Sequence, residues 1–331
     1  MDQLIKRNDT PLDREDPMTE KIIEPLKYLQ NLPGNNRKIR MIFIKAFNEL
    51  YFHIENEELI QEMNEIVDML HDCSLLIDDI EDSSEYRRGS PTAHIKFGQP
   101  ITINCSNLNY FIAINKANNL SRLYTNDRAK QDEISLKVNR VIVDEMLNLH
   151  HGQGIEIYWR DNKKTVPIPT ELQYLEMAMD KTGGLLRIIV KLLECFVPSE
   201  SSKHIELSNL IGIIYQLRDD YFNLVSDQYS HMKGVVGEDL IEGKFSFPIL
   251  HSLNHSTTSP VYDLLYNYSV EQRKAPENQP LILAAITFMK EQSKSLDYTN
   301  DLLKAKLKQA EALVEGKGEF IKHIFNQLND T

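Results

Sequence analysis

The chain has 331 residues, of which 41% are hydrophobic and 26% charged, an ordinary composition for a soluble globular protein. Its formal net charge of −12 argues against a nucleic-acid partner, because binding a phosphate backbone requires a basic surface. No apolar run approaches the ~20 residues that cross a bilayer. Three scattered cysteines imply no disulfide framework. We therefore expect a protein of a reducing compartment, the cytoplasm, without a transmembrane segment.

The chain is predicted to be helical almost throughout. Residues 1–16 are polar and are expected to form a mobile leader, and residues 17–331 to form a single all-α domain. A long helix is predicted over 57–82, where apolar residues recur at steps of three and four. Further helices are predicted over 131–159, 172–196 with a kink at Gly183-Gly184, 205–224 and 281–328.

Two acidic clusters end two of these predicted helices. Asp78, Asp79 and Asp82 form the first, and Asp219 and Asp220 the second. One such cluster alone would be interpreted as a solvated helix end, although acids there oppose the helix dipole. Two clusters with similar spacing favour a shared Mg²⁺ site, because Mg²⁺ prefers carboxylate oxygens and keeps positions open for phosphate.

Basic residues accompany the clusters. Arg87 and Arg88 follow the first cluster, Lys181 and Lys244 stand in short segments with Gly and Thr or Phe, and Arg40 follows a Pro-Gly turn. Each alone would be an ordinary surface charge. Together with two metal-binding clusters they indicate a site for diphosphates. No GxxxxGK[ST] loop is present, so nucleoside triphosphate chemistry is not indicated.

Five segments, which together contain most of these acidic and basic residues, resemble, in their sequence and their order along the chain, the trans-isoprenyl diphosphate synthases. Among these enzymes they resemble the eukaryotic geranylgeranyl diphosphate synthases. These segments are LLIDDIEDSSEYRRGSPTAH, HHGQGIEIYWRD, MDKTGG, QLRDDYFNL and EDLIEGKFSFP. The resemblance implies an isoprenoid synthase-type helical bundle around a deep central cavity, usually a homodimer. It implies Mg²⁺-dependent condensation of isopentenyl diphosphate with dimethylallyl, geranyl or farnesyl diphosphate. The expected products are geranylgeranyl diphosphate and diphosphate.

The resemblance also implies a role for each matching residue. It assigns three Mg²⁺ ions to Asp78, Asp79, Asp82, Asp219 and Asp220. It gives a catalytic role to Asp78, Asp79, Asp82, Asp219 and Lys181. The allylic diphosphate is assigned to Arg87, Lys181, Thr182, Gln216, Lys233 and Lys244, and the isopentenyl diphosphate to Arg40, His71 and Arg88. A lone His on a helix is otherwise an ordinary buried polar residue.

Three departures from the family pattern stand out. The family's isopentenyl-site lysine falls in a segment with two apparently inserted residues, so that Arg37 or Lys38 could replace it. Alignment on Arg40 favours Arg37. The loop bearing Lys233 is one residue longer than usual, and Glu156 replaces the commoner Asp.

Product length is predicted from side-chain size. Cys73 and Ser74 lie about one helical turn before Asp78, where family members that stop at fifteen carbons carry aromatic rings. Small side chains there leave the passage open for a twenty-carbon chain. Tyr110, Phe111 and His150 match the bulky floor of the eukaryotic twenty-carbon synthases, although ordinary aromatic packing explains them equally well.

Proteins with other functions share parts of this sequence pattern. A farnesyl diphosphate synthase and a non-catalytic prenyltransferase-like subunit remain alternatives, although such subunits often lose an acidic cluster and this chain has both. A class I terpene cyclase would carry Ser or Thr and then Glu where this chain has Asn223 and Asp227. That signature is therefore not matched.

Overall fold

The computed structural model describes residues 17–33, 37–199, 202–226 and 237–329. The predicted leader over 1–16 and the predicted ligand Lys233 lie outside these residues. So does the inserted part of the loop that precedes Arg37, and the side chain of Arg37 itself is not described.

The first half of the chain builds the wall that bears the first acidic cluster. Its helices are α1 (Pro17–Ile22), α2 (Glu24–Gln30), α3 (Arg37–Phe47), which continues into a π-helical turn (Asn48–Phe52), and α4 (Glu57–Glu81). The Asn56 side chain caps α4 by accepting the Leu59 N–H at 3.0 Å. Beyond α4, the short strands β1 (Tyr86–Arg87) and β2 (Ser90–Pro91) pair antiparallel. The turn between them is Arg88-Gly89, and both residues have positive φ.

The middle of the chain supplies the longest helices. In order they are α5 (Ala93–Phe97), α6 (Gln99–Asn118), α7 (Leu120–Tyr124), α8 (Arg128–Asp161), α9 (Glu171–Lys181), α10 (Gly183–Phe196) and α11 (Lys203–Val225). Helix α4 packs on α6, α8 packs on α9 and α10, and α11 packs on α10 and on a later helix, α17. Their buried aliphatic and aromatic side chains form the largest apolar core of the described residues.

The C-terminal part closes the open side of this bundle. It contains α12 (Glu238–Glu242), α13 (Phe247–His255), α14 (Pro260–Asn267), α15 (Val270–Lys274), a 3₁₀ turn (Pro276–Asn278), α16 (Gln279–Glu291), α17 (Ser295–Val314) and α18 (Glu319–Asn329). A second apolar cluster joins α12, α13, α14 and α16. Within the described ranges, no helix is both long and apolar enough to cross a membrane.

Glycines allow two of the central helices to approach closely. A Cβ added at Gly212 on α11 would lie 2.6 Å from the Cα of Gly183 at the start of α10. Only a residue without a side chain fits there. This contact fixes Thr182, the residue that links α9 to α10, against the face of α11 that carries Gln216.

The all-α prediction is confirmed, and the predicted helices over 57–82, 131–159 and 205–224 are found with boundaries shifted by one to three residues. Two predictions differ from the structure. The stretch over 172–196 is two helices separated at Thr182, not one kinked helix, and the stretch over 281–328 is divided into α16, α17 and α18. The C-terminal division occurs where Lys294 and Glu315 adopt left-handed backbone conformations.

Candidate active site

A cavity of about 440 Å³ opens between α4, α8, α9 and α11, a size that suits a small-molecule ligand. Most of the predicted site residues line it, although they come from distant parts of the sequence. The lining residues that the sequence predicted are His71, Ser74, Asp78, Asp82, Arg87, Arg88, Tyr110, His150, Lys181, Thr182, Gln216, Asp219, Asp220 and Lys244.

The first acidic cluster divides between two orientations. Asp78 faces the cavity, where its carboxylate accepts a hydrogen bond from Gln153 at 3.1 Å and lies 3.3 Å from Arg87. Asp79 is buried and its two carboxylate oxygens accept the Arg87 Nε–H at 2.8 and 2.9 Å. Burial lowers the pKa of Arg87, but Asp79 and Asp78 outweigh this and raise its pKa overall. Asp79 therefore fixes the arginine from behind the cavity wall.

Asp82 connects three helices at the outer rim of the cavity. The Arg160 Nη1–H donates to its Oδ1 at 2.7 Å, and the Lys244 ammonium donates to its Oδ2 at 2.6 Å. Lys244 also lies 2.8 Å from Glu242. Burial lowers the pKa of Lys244, and the surrounding carboxylates raise it further than burial lowers it. Lys244 is thus a permanently charged group whose place is set by Asp82.

The second acidic cluster is built on a hydrogen-bonded chain. Asp220 is buried and accepts hydrogen bonds from the Tyr174 hydroxyl, from the Phe247 N–H at 2.7 Å and from the Gln216 amide at 2.8 Å. The Thr182 hydroxyl in turn donates to Gln216. Burial raises the pKa of Asp220 to about 6, although its three donors oppose that rise. Asp219 lies beside it on the cavity wall.

Lys181 connects the first acidic cluster with Glu156 on α8. Its ammonium donates to Glu156 at 2.5 Å and lies 4.0 Å from Asp78. Burial lowers its pKa, but Glu156 and Asp78 raise it by more. The Glu that replaces the family's commoner Asp therefore retains a charged partner for Lys181, as expected from its unchanged charge.

Arg87 and Arg88 line the remaining wall, and Arg40, which is not among the lining residues, is buried near them. His71 lies among Arg40, Arg87 and Arg88, and its pKa is lowered to about 3 by burial and by these three cations. Arg40 is buried and pairs with Asp68 and, at 3.8 Å, with Asp72. Within the described residues, one terminal nitrogen on each of Arg40 and Arg88 is buried without a hydrogen-bond partner. Unsatisfied buried donors are costly, so this wall is suited to an anion.

The five residues predicted to control product length do not lie together. Ser74, Tyr110 and His150 line the inner part of the cavity, and the Tyr110 and His150 rings meet edge to face at 5.8 Å. Cys73 is instead fully buried in a separate apolar cluster behind Tyr110. Phe111 is 71% exposed on the outer face of α6. Leu149, Leu185 and Tyr215 complete the apolar inner wall.

Four contributors were missed from the sequence although helical spacing offered a signal. Gln153 and Arg160 are seven residues apart on α8, two turns along one face, and both bind the first cluster. Tyr174 precedes Lys181 by the same interval on α9. Tyr215 precedes the predicted ligand Asp219 by four residues, one turn along the same face of α11. Each could have been found by extending the face that a motif residue defines.

The donor set of the cavity fits Mg²⁺. Asp78, Asp82, Asp219 and Asp220 provide hard oxygen ligands from two helices to one cavity. Burial raises the pKa of the neighbouring Glu242 to about 8, and the nearby carboxylates of Asp82 and Glu238 contribute to that rise, which a bound cation would oppose. In the described part of the chain no three acidic, His or Cys side chains converge as a preformed metal cluster. The carboxylates of the first cluster pair with lysine and arginine side chains instead, and Asp220 accepts hydrogen bonds from neutral donors.

An all-α bundle in which two helices point carboxylates into a cavity that arginines and lysines also line defines a helical protein suited to diphosphate ligands. The profile of the polyprenyl synthetase family matches residues 19–285. The chain belongs to the polyprenyl synthetase family, as the sequence resemblance predicted, and is a prenyltransferase.

Characterised relatives are similar over much of the chain. A geranylgeranyl pyrophosphate synthase of Aspergillus flavus is 40% identical over 324 residues, which cover 96% of this chain and 85% of that protein. One of Eremothecium gossypii is 42% identical over 240 residues, covering 72% of this chain and 71% of the relative. One of Macrophomina phaseolina is 47% identical over 69% of this chain, a match that spans only 64% of the relative.

Proposed function

We propose that the protein is a Mg²⁺-dependent geranylgeranyl diphosphate synthase. It would condense isopentenyl diphosphate with dimethylallyl, geranyl or farnesyl diphosphate and release diphosphate. The observation that carries this proposal is the cavity itself, whose lining combines the carboxylates of both acidic clusters, lysines and arginines, and apolar side chains. The names of relatives at 40% and 42% identity support the twenty-carbon product.

The two polar sides are proposed to hold the two diphosphates. Arg87, Lys181 and Lys244, with Thr182 and Gln216, would bind the allylic diphosphate; Lys233 is the remaining family contact. Arg40, His71 and Arg88 would bind isopentenyl diphosphate, whose oxygens would satisfy the two buried arginine donors. His71 is neutral over the working pH range because its pKa is about 3. It would therefore contribute a hydrogen bond and no charge.

The reaction needs stabilisation of a leaving group more than it needs a nucleophile. The allylic C–O bond breaks with its electron pair going to diphosphate, and a carbocation remains. Mg²⁺, held by Asp78, Asp82, Asp219 and Asp220 with the family contact Asp79 behind them, would offset the charge of the leaving diphosphate. Three ions are proposed on the family pattern. Lys181 and Lys244 add fixed cations aimed at the same group.

Carbon–carbon bond formation completes the turnover. The double bond of isopentenyl diphosphate adds to the carbocation, and the proton then lost would pass to the departing diphosphate. The apolar wall around Leu149, Leu185 and Tyr215 would exclude water from the cation and receive the growing tail. Ser74, which faces this cavity, leaves room for a longer chain, and Tyr110 and His150 would form its floor.

We further propose a homodimer that works in the cytoplasm. Phe111 on α6 and Leu136 and Leu147 on α8 are 71%, 73% and 65% exposed, and the two helices pack side by side. An exposed apolar face of this kind is typical of a subunit interface. The free thiols of Cys73, Cys105 and Cys195 support a reducing compartment.

One assay tests the proposed activity. Purified protein is incubated with Mg²⁺, labelled isopentenyl diphosphate and each allylic diphosphate in turn, and the products are sized after removal of phosphate. Geranylgeranyl diphosphate as the main product supports the proposal. A fifteen-carbon product would instead make the protein a farnesyl diphosphate synthase, and no product with any primer would favour the non-catalytic alternative. Light scattering of the same sample tests the dimer.

A further inference from the structure

A buried arginine lies behind the wall of the cavity, outside every motif that the sequence resemblance used. Arg273, on the short helix α15, is 2% exposed. In the described part of the chain its guanidinium hydrogen bonds go to main-chain carbonyl oxygens. A buried cation held by carbonyls alone indicates a specific positional role, because burying such a charge is costly.

The carbonyls belong to the ends of two helices. Arg273 Nε–H donates to the Ile241 carbonyl at 2.8 Å and Nη2–H to that of Glu242 at 3.3 Å, both at the end of α12. Its Nη1–H donates to the Tyr268 carbonyl at 2.6 Å, just beyond α14. Helix C-termini carry unsatisfied carbonyls and partial negative charge, so a single guanidinium serves both ends.

The end of α12 is also the turn that delivers Lys244 to the cavity. Gly243 follows α12 with a φ of +82°, and a Cβ added there would lie 2.7 Å from Arg273 Nη2. The next residue, Lys244, places its ammonium 2.6 Å from Asp82 Oδ2. Arg273 and Lys244 thus hold the same turn, residues 242–244, through different contacts: Arg273 binds the Glu242 carbonyl, and Lys244 binds Asp82.

We infer that Arg273 is a positioning residue for the allylic diphosphate site, acting through the turn that carries Lys244. The inference rests on the proposed function, which places Lys244 against the allylic diphosphate. Without Arg273 the carbonyls of Ile241 and Glu242 lose their donor, the turn is released, and the Lys244 ammonium is no longer aimed into the cavity. Among the described residues, the hydrogen bonds of Arg273 do not reach Arg40, His71 or Arg88, so isopentenyl diphosphate binding should be unaffected.

A second cation supports the same turn. Lys163, which follows α8, donates to the Gly243 carbonyl at 3.3 Å. Its neighbour Lys164 is exposed. The pair gives a matched test, since replacing Lys163 removes one support of the turn, and replacing Lys164 removes an equal charge without touching it.

The first experiment compares Michaelis constants in the full-length protein. Arg273→Met should raise KM for the allylic diphosphate roughly tenfold while KM for isopentenyl diphosphate changes less than about twofold. Arg273→Lys, which keeps the charge, should recover part of the loss. Lys163→Met should give a smaller rise of the same selectivity, and Lys164→Met none. A merely structural residue would lower the yield of active protein and leave both KM values as they are, and that outcome overturns the inference.

The second experiment tests whether Arg273 acts through Lys244. Binding of inorganic diphosphate with Mg²⁺ is measured by calorimetry for the wild type, Arg273→Met, Lys244→Ala and the double variant. If the residues act through one turn, Arg273→Met costs about tenfold in the presence of Lys244 and little in its absence. Equal losses in both backgrounds overturn the inference. Because this measurement needs no turnover, it separates failure of the inference from failure of the proposed function, which the wild-type product assay reveals.

Discussion

The cavity has an acidic side, formed by the two acidic clusters with Lys181 and Lys244, and an arginine side, formed by His71 and Arg88 with Arg40 buried near them. The two sides accommodate buried charge in different ways. On the acidic side nearly every group is neutralised within the protein, since Asp82 accepts from Arg160 and Lys244, and Lys181 donates to Glu156. On the arginine side, buried donors of Arg40 and Arg88 have no hydrogen-bond partner within the described residues. The acidic side is paired within the protein, whereas Arg40 and Arg88 each keep one buried nitrogen without a hydrogen bond, although Arg40 also forms ion pairs with Asp68 and Asp72.

This difference bears on how each side binds its ligand. The arginine side is already arranged for an anion, and a diphosphate needs only to supply oxygens. The acidic side must give up internal ion pairs before its carboxylates can hold cations, so binding there is coupled to metal. We therefore expect metal to be essential for the allylic diphosphate and much less important for isopentenyl diphosphate.

The largest effect is expected from removing a carboxylate on the acidic side. Asp78→Ala and Asp219→Ala should each lower kcat on the order of 10²–10³-fold, because the leaving diphosphate loses its electrostatic stabilisation. Steady-state kinetics with a circular dichroism check of helical content measures this. Asp132→Ala, at an exposed position on α8, is the control and should behave as wild type. Near-normal turnover in both cavity variants would remove the metal assignment.

Removing metal should separate the two sides in a single experiment. In excess EDTA, calorimetric binding of an unreactive allylic diphosphate analogue should weaken by at least roughly tenfold, whereas isopentenyl diphosphate binding should change only slightly. Restoring Mg²⁺ should return the wild-type value. If chelation weakened both ligands equally, the contrast between a metal-coupled and a preformed side would be wrong.

A smaller and selective effect is expected on the arginine side. Arg88→Gln should raise KM for isopentenyl diphosphate about tenfold and leave KM for the allylic diphosphate within about twofold, because the lost contact is a charge-assisted hydrogen bond. Arg40→Gln is a poorer test, since it leaves Asp68 and Asp72 buried without their cation, at a cost of about 3–5 kcal/mol in stability. A rise in both KM values for Arg88→Gln would contradict the proposed division of the cavity.

The start of α3 decides whether the arginine side includes a third cation besides Arg40 and Arg88. Arg37→Ala should raise KM for isopentenyl diphosphate several-fold, on the scale of one charge-assisted hydrogen bond. Lys38→Ala should change it less than about twofold, because Lys38 is exposed at the start of α3. The reverse order of effects would show that the alignment on Arg40 misplaces the loop and that Lys38 serves the site.

Much of this site could be predicted from the sequence because charge clusters at helix ends are local patterns. Asp78 and Asp219 were placed on one cavity by their motifs alone, and the structure puts both on its wall. Orientation was harder to predict. Asp79 is one residue, about 100° of helix, from Asp78, and it turns to Arg87 rather than to the cavity. Such choices depend on partners distant in sequence.

Tertiary packing limited the remaining predictions for the same reason. The separation of α9 from α10 at Thr182 follows from the close approach of Gly183 to Gly212, a contact between helices that no periodicity encodes. Cys73 and Ser74 are adjacent in sequence, yet only Ser74 faces the cavity. Phe111 points outward where its neighbour Tyr110 points in, because consecutive residues of a helix face different directions.

The smallest effect on the binding of either diphosphate is expected from a substitution in the apolar part of the cavity, which only the product tail would occupy. Ser74 lines the cavity about one turn before Asp78, and its hydroxyl donates to the His71 carbonyl at 2.8 Å. Ser74→Phe should shorten the main product to fifteen carbons, because one turn spans ~5.4 Å, about the length of an isoprene unit. KM for both substrates should stay within about twofold. Product sizing by chromatography, with kinetics on the shortest allylic primer, measures both.

The matched control separates ring size from loss of the hydroxyl. Ser74→Ala removes the same hydrogen bond without adding volume, so it should still give the twenty-carbon product. Tyr110→Ala, which shrinks the proposed floor, should permit longer chains, as should His150→Ala. Overpacking can cost about 1–3 kcal/mol, so thermal melting must first show that Ser74→Phe is folded. If the folded variant still releases mainly twenty-carbon product, the tail does not pass Ser74. Another part of the cavity must then set the chain length.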